Sequence, residues 1–359
     1  LAPDDYPFLT HQFLTALEDF DCLEPNGWQT LHLVLEDEGK LLGAMPAYLK
    51  TNSIGEFVFD WSWADAYERA GGRYYPKLVS AIPFVPSTGS RILLKPGNED
   101  RKTIRTLLAK GAVTVAERLE VSSLHCLFPP DDELIHLTDS GMLERIGCQY
   151  HWHNGGYAEF DDFLASLTSK KRKQIRRERR KVVAAGIEVE VLHGDEVSAA
   201  QWRTFYDFYC STFYRRWGEP RFTLAFFQGL SERLPRQTVL FLARHNGEYV
   251  AGALALRGTQ TLYGRHWGCS QHFKHLHFEL CYYQTIEYCI NRGLKRVDAG
   301  AQGEHKIARG FVPVRTCSAH WLRDIGFRKA IAEFLERETH MIEHQIDVLD
   351  NHSPYKQAV

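Results

Sequence analysis

The sequence predicts a mixed α+β chain made of two related units, and three observations lead there. Hairpin-like apolar runs alternate with amphipathic helical patterns along 359 residues, a length that suits two cores better than one. The stretch LHLVLEDEGKLLGAMPAYLKTNSIGEFVFDWSWADAY at 31–67 is echoed by VLFLARHNGEYVAGALALRGTQTLYGRHWGCSQHF at 239–273. With 44% hydrophobic and 13% aromatic residues, the chain also has the material for two large cores.

The first copy reads as helix 9–20, hairpin 29–50, strand 56–60, helix 100–118 and strand 122–127. Its hairpin turn is EDEG, matched in the second copy by RHNG. Each copy follows the turn with a Gly-Ala pair, Gly43-Ala44 or Gly252-Ala253, and then an aromatic strand ending at Trp61 or Trp267. The second copy reads as a strand near 187–192, helices 197–213 and 222–233, the hairpin, a helix 278–292 closed by Gly293, and a strand 295–299. A closing helix at 325–350 spaces Ile331, Phe334, Leu335, Ile342 and Ile346 along one face. A single boundary near 155 follows, giving domains 1–155 and 156–359, the second including a basic helix at 168–185 and the closing helix.

Composition bounds the function. A formal charge of −2 leaves binding of nucleic acid or membrane to a local patch. Eight cysteines without a C-x-x-C pair read as reduced thiols in a cytoplasmic protein. No apolar run approaches the roughly 20 residues of a membrane span, and the first residues lack the basic and apolar parts of a signal peptide.

One local patch stands out. SKKRKQIRRERRK at 169–181 holds nine basic residues and a single acid. Leu167, Ile175, Val182 and Val183 give it a thin apolar stripe, so the helix docks by one face. Like charges three and four apart oppose helix formation, and an anion would offset that cost. Lys170, Lys171, Arg172, Lys173, Arg176 and Arg177 are therefore candidate phosphate contacts, to a nucleic-acid backbone or a pyrophosphate; a solvated surface helix is the plainer alternative.

The densest chemistry lies at 261–311. Lys306 and Arg309 supply positive charge, and Glu279 or His277 could accept a proton. Glu287 lies two turns beyond Glu279 and suits substrate positioning, while Gln302 sits in a glycine-rich turn able to bond an amide or carbonyl. His266, Trp267 and His305 are further candidate substrate contacts, with core packing of His266 and Trp267 left open. Helix-dipole placement alone would also explain Glu279. Cys281 beside His277 is a nucleophile or, more simply, a packed thiol. In the first copy Trp61, Trp63 and Asp65 form a candidate acceptor wall, or else packing.

Over nearly its whole length the sequence resembles the FemAB-like branch of N-acyltransferases. The segments that carry the resemblance are TSKKRKQIRR (168–177), FVFDWSWADAY (57–67), YYPKLVSAIPFVPSTGSRIL (74–93), GRHWGC (264–269), LHFELCYYQTIE (276–287) and GAQGEHKIARGF (300–311). The resemblance implies two tandem GNAT-like domains, each a mixed central sheet flanked by helices. It also implies transfer of an acyl or aminoacyl group, from aminoacyl-tRNA, to an amine on a small molecule or peptide, in a cleft between the domains. FemAB-type enzymes place a Phe-Lys pair near the acyl carbonyl after the last strand of the second domain. His305-Lys306 stands there in this chain, so Lys306 would stabilise the developing oxyanion while His305 departs from the Phe.

No resident cofactor is implied; aminoacyl-tRNA or acyl-CoA enters as co-substrate. The Q/R-x-x-G-x-G/A loop of CoA-binding GNAT enzymes is missing at 268–277, which disfavours a conventional CoA site. Acyl-CoA chemistry with another pyrophosphate site remains the alternative within enzymes. From other classes come a metal site on His272, His275, His277 and Glu279, which fits no standard zinc spacing, and an RNA-binding module that would leave 261–311 unexplained.

Overall fold

The structure is a computed structural model, describing residues 5–97, 100–215, 218–301 and 303–356. Its contacts divide the chain into two compact units interleaved in sequence. The first is made of Leu23–Cys148 and Arg315–Gln345, the second of the described parts of Asp4–Cys22, Gln149–Val314 and Ile346–Val359. A single cut at 155/156 is replaced by this exchange of segments, and long-range pairing is the reason.

In the first unit, β1 (Trp28–Thr30), β4 (Tyr48–Lys50), β5 (Lys77–Ser80), β7 (Ser123–Leu127) and β14 (Val312–Leu322, in this unit from Arg315) lie side by side in that order. Successive neighbours pair antiparallel except β5 with β7, which is parallel. The late strand β14 therefore completes an early sheet, pairing Ala319 with Cys126. A separate small sheet holds β2 (Leu33–Asp37), β3 (Lys40–Met45) and β6 (Leu93–Leu94). Helix α3 (Arg101–Arg118) covers one core with Ile104, Leu108 and Ala112, against Leu78, Leu124 and Ala319. Helix α2 (Trp61–Arg69) builds a second core from Trp63 and Ala64 against Tyr74, Leu322, Ile331 and Leu335. Ile331 and Leu335 belong to the closing helix α11 (Ile325–Asp350), on the face its apolar spacing marks.

In the second unit the order is β8 (Leu143–His153, in this unit from Gln149), β13 (Arg296–Asp298), β12 (Thr261–Cys269), β11 (Glu248–Arg257), β10 (Thr238–His245) and β9 (Ile187–His193). Only β12 with β13 is parallel. Between them the chain forms α9 (Leu276–Phe278), a π-helical turn Glu279–Tyr283 and α10 (Gln284–Asn291), ending before Gly293. Helix α1 (His11–Asp19) enters this unit because Arg233 of α8 (Leu224–Arg233) pairs with Asp19 at 2.7 Å and donates to Thr15 at 3.1 Å. Helix α7 (Ala199–Tyr214) starts with a Ser198–Gln201 capping box.

The internal echo holds at the turns and shifts elsewhere. Glu38-Gly39 and Asn246-Gly247 are both two-residue connections with two positive φ values, 46° and 74° against 51° and 85°, as type I′ hairpins require. By sheet position, however, the counterpart of β12 in the first unit is β5, each being the strand that makes its unit's parallel pair, and the EDEG hairpin belongs to the small side sheet. The expected strand 56–60 does not form. Gly55 and Phe57 take left-handed backbone (φ 82° and 61°), and Glu56 and Asp60 turn inward onto Lys77 of β5 at 2.8 and 2.5 Å. Phe57, Phe59 and Trp61 are left exposed. No helix among the described residues is long and apolar enough to cross a membrane.

Candidate functional site

β12 runs on to Cys269, six residues beyond its last pair with β13, Tyr263 with Asp298. A cavity of about 450 Å³ opens where the two strands part, lined by the second unit alone. β12 contributes Gly264, Arg265, His266 and Trp267; the helical segment adds His277, Cys281, Tyr282 and Thr285; the following turn adds Ala299, Gly303, His305 and Lys306. Arg265 is displaced toward the cavity by a bulge, since Leu254 and Ala255 of β11 face His266 and Gly264 and skip it.

Lys306 is 4% exposed, and its ammonium donates to the carbonyls of Ala299 (2.6 Å) and Gly300 (3.2 Å). Burial lowers its pKa to about 8 against the opposing pull of Asp298. It rides on a 3-10 turn, Glu304–Arg309, capped by Gly303 at φ 100°. A Cβ on Gly303 would lie 2.4 Å from the His305 ring, so the turn tolerates no other residue without moving His305. His305 Nε2 hydrogen-bonds the Tyr282 hydroxyl at 2.9 Å.

His277 faces the same cavity, edge-on to Trp267 (5.2 Å) and Tyr282 (5.4 Å). Among the described residues nothing hydrogen-bonds its ring. Burial, then the charges at His305, Lys306 and Arg309, lower its pKa to about 4, so it is a neutral imidazole at neutral pH. His266 is also neutral, lowered to about 3 by burial among Tyr209 and Phe222. Cys281 is half-buried in the cavity wall, and desolvation pushes its thiol far above the ordinary range, which disfavours a thiolate nucleophile.

Three expected site residues are engaged elsewhere. Glu279 accepts from Arg179 of the basic helix α6 (Ser169–Ala184) at 3.0 Å and from Gln284 at 2.8 Å. Glu287 pairs with the same Arg179 at 2.7 Å, so both acids do share one helix face, but that face meets α6 and not the cavity. Arg309 is committed to Glu178 at 3.0 Å and lies 3.5 Å over the Phe278 ring. Gln302 lies outside the described residues. Trp63 is 2% exposed in the α2 core, edge-on to His320 at 5.0 Å, while Trp61 and Asp65 sit exposed on that helix; none of the three lines the cavity. The segment is a helix start and not the strand end that the sequence suggests.

The basic helix forms as the sequence predicts, with Ile175 and Val182 buried; Val183 is 72% exposed and leaves the docking stripe. Lys170, Lys173, Arg176 and Arg177 are exposed, Lys171 and Arg172 half-buried. A wide recess of about 740 Å³ is lined by Phe160, Leu164 and Val183 together with Lys173, Arg176 and Arg180. Sequence reasoning misses Tyr282, Arg265, Glu178 and Arg179; the lone acid within the basic run is the one available signal. No group of three or more His, Cys, Asp or Glu is placed to hold a metal among the described residues, and Glu279 is turned away to Arg179, so the His272–Glu279 metal reading is dropped.

Comparison with known proteins agrees with this layout. The fold matches FemX over 92% of this chain and 96% of that one, with TM-score 0.57 and 12% identity. It also matches the C-terminal domain of a putative lysylphosphatidylglycerol synthetase from Agrobacterium fabrum (TM-score 0.52, 9% identity, 91% of this chain and 97% of that one). L-PGS from Bacillus licheniformis is similar at TM-score 0.52 and 10% identity, covering 96% and 98%. At these identities the likeness establishes the mixed α+β, tandem GNAT-type fold and nothing finer. No curated protein matches in sequence. The FemAB-like family model, described as peptidoglycan biosynthesis/recognition, matches residues 1–357, and the chain accordingly belongs to the FemAB-like family.

Proposed function

We propose that this protein transfers an acyl or aminoacyl group to an amine, with the reacting centre in the β12/β13 cavity. The observation that carries the reading is one cavity shared by a neutral His277, with no hydrogen-bond partner among the described residues, and a buried, charged Lys306. Amine attack on an ester needs a base for the amine proton and fixed positive charge for the tetrahedral oxyanion. His277 takes the proton as the C–N bond forms; Lys306 faces the carbonyl oxygen as it gains charge. Collapse of the intermediate breaks the C–O bond of the ester, and the His277 imidazolium returns its proton to the departing oxygen. The Tyr282–His305 hydrogen bond fixes His305 at the rim, where it can orient the acyl group.

The same reading fixes a pH profile. At a fixed concentration of neutral amine the rate requires neutral His277 and protonated Lys306, so, corrected for amine protonation, it rises with pH through about 4 and falls through about 8. A rate still climbing above pH 9 would remove Lys306 from the role of cation.

The donor is aminoacyl-tRNA on this reading, held through its phosphates by the exposed side of α6. Reversing charge at Arg176 and Arg177 is expected to weaken tRNA binding and to lessen its salt dependence, by about one unit of slope for each phosphate no longer neutralised. Unchanged binding across a salt titration would exclude α6 as the tRNA-binding element. The direct test of the donor incubates the protein with labelled aminoacyl-tRNA and, separately, with acetyl-CoA, and measures binding and deacylation. Preference for CoA would move the pyrophosphate, not an RNA backbone, onto α6.

A further inference from the structure

The basic helix has an inner face that the reaction above does not use. Its single acid, Glu178, is 3% exposed and sits among polar partners. Gln174 donates to it at 2.9 Å, Arg309 Nη2 at 3.0 Å to each oxygen, and the Tyr283 hydroxyl through a short bond. Arg309 then reaches forward: its Nη1 donates to the backbone carbonyl of His305 at 2.7 Å. One carboxylate thus joins α6, the π-helical turn at Tyr283 and the turn that presents Lys306.

We propose that Glu178 is a positioning residue for Lys306, holding the Glu304–Arg309 turn in place through the Arg309 guanidinium and the His305 carbonyl. The proposal rests on the reading of Lys306 as the cation of the cavity. Three features support it. The turn is a single 3-10 segment between two left-handed glycines, Gly303 and Gly310, held on other sides by the Tyr282–His305 bond and by the Tyr355 hydroxyl on the Gly310 carbonyl, and the Arg309 guanidinium ties it to α6. Arg309 is a fork with two branches in use, one on the carboxylate and one on the turn, a geometry that lysine cannot copy. Glu178 is also ionised: burial raises its pKa, but the hydrogen bonds from Tyr283 and Gln174 and the charge of Arg309 outweigh this and hold it below the ordinary carboxylate range. The neighbouring pair Arg179–Glu279 fastens α6 to the start of the π turn, so the base, the cation and the basic surface share one frame. A donor docked by its phosphates on the outer side of α6 would then be registered against Lys306 by the inner side.

The test uses the full chain and reads Lys306 directly. Wild type, Glu178→Gln and Arg309→Lys are treated with acetic anhydride across a pH series, and modification of Lys306 is followed by peptide mass spectrometry against exposed Lys170. In wild type Lys306 titrates near its depressed value of about 8. In Glu178→Gln the Lys306 modification rate at fixed pH is expected to change by about threefold or more, with Lys170 unaffected, as the turn loosens and the ammonium regains water. Turnover falls about tenfold while the donor KM stays within about twofold, because the loss is one of placement and not of binding. Arg309→Lys, which keeps the charge and loses the fork, falls between. A folded Glu178→Gln protein with the wild-type Lys306 profile and turnover overturns the proposal. If Glu178→Gln does not fold, wild-type behaviour of Arg309→Lys overturns it equally. Should Glu178→Gln shift Lys306 while Lys306→Ala leaves turnover intact, the tie stands and the catalytic reading falls.

Discussion

Replacing Lys306 with alanine is expected to lower turnover by about a hundredfold without unfolding the chain. Removing one preorganised donor from an oxyanion site typically costs a factor of this size. Lys306 is suited to the role because its ammonium is fixed by the Ala299 and Gly300 carbonyls, so its charge needs no reorganisation when an oxyanion develops. The alanine variant leaves those two carbonyls to solvent in an open cavity, a modest structural loss. Circular dichroism and the thermal midpoint check the fold, and single-turnover kinetics read the chemistry. A turnover within about threefold of wild type would show that Lys306 serves the structure only.

The largest effect on stability is expected in the first unit, at Lys77. Its ammonium is wholly buried and donates to Glu56 (2.8 Å), Asp60 (2.5 Å) and Ser53 (2.7 Å). Asp60 in turn accepts from Tyr74 at 2.7 Å, and Tyr74 neighbours His125, whose ring meets His320 at 2.5 Å. Burial raises Glu56 to about 7 despite the opposing charge of Lys77, while Asp60 stays well below the ordinary range because Lys77 and His125 outweigh its burial. Lys77→Met strands two buried acids and is expected to cost about 3–5 kcal/mol, measured by urea unfolding. Adding Glu56→Gln and Asp60→Asn to Lys77→Met should recover part of that loss, since the penalty lies in the unpaired acids and not in the missing amine. A loss below about 1 kcal/mol from Lys77→Met would mean that water reaches the cluster.

What can be read from the sequence tracks how far each feature reaches along the chain. Helices α3, α6, α10 and α11, the paired hairpin turns and the stop before Gly293 follow from local periodicity and turn chemistry, and they lie where the pattern puts them. His277, Lys306, His305 and Trp267 stand out within one compact stretch of sequence and do line one cavity. The misplacements are non-local. Glu279 looks like a free helix carboxylate until Arg179 arrives across 100 residues of chain, and Arg309 looks like a free cation until Glu178 arrives across 131. The segment 56–60 has the aromatic, β-branched core of a strand in Phe57-Val58-Phe59, but Lys77 draws the acids at its two ends inward, and no window of local sequence contains that competition.

The pairing of β7 with β14 bears on how the protein is made. On the ribosome the early segment Leu23–Cys148 emerges with one flank of β7 unpaired, and all of Gln149–Val314 must be synthesised before Arg315–Leu322 can fill it. At ordinary elongation rates that wait is on the order of ten seconds or more, long compared with the folding of a small domain. The nascent chain therefore carries an open strand edge through most of its synthesis, a natural client for chaperones that shield such edges. Fragments ending near residue 155 should emerge insoluble for the same reason, whereas joining 315–345 to 23–148 by a short linker gives the early segment its missing strand.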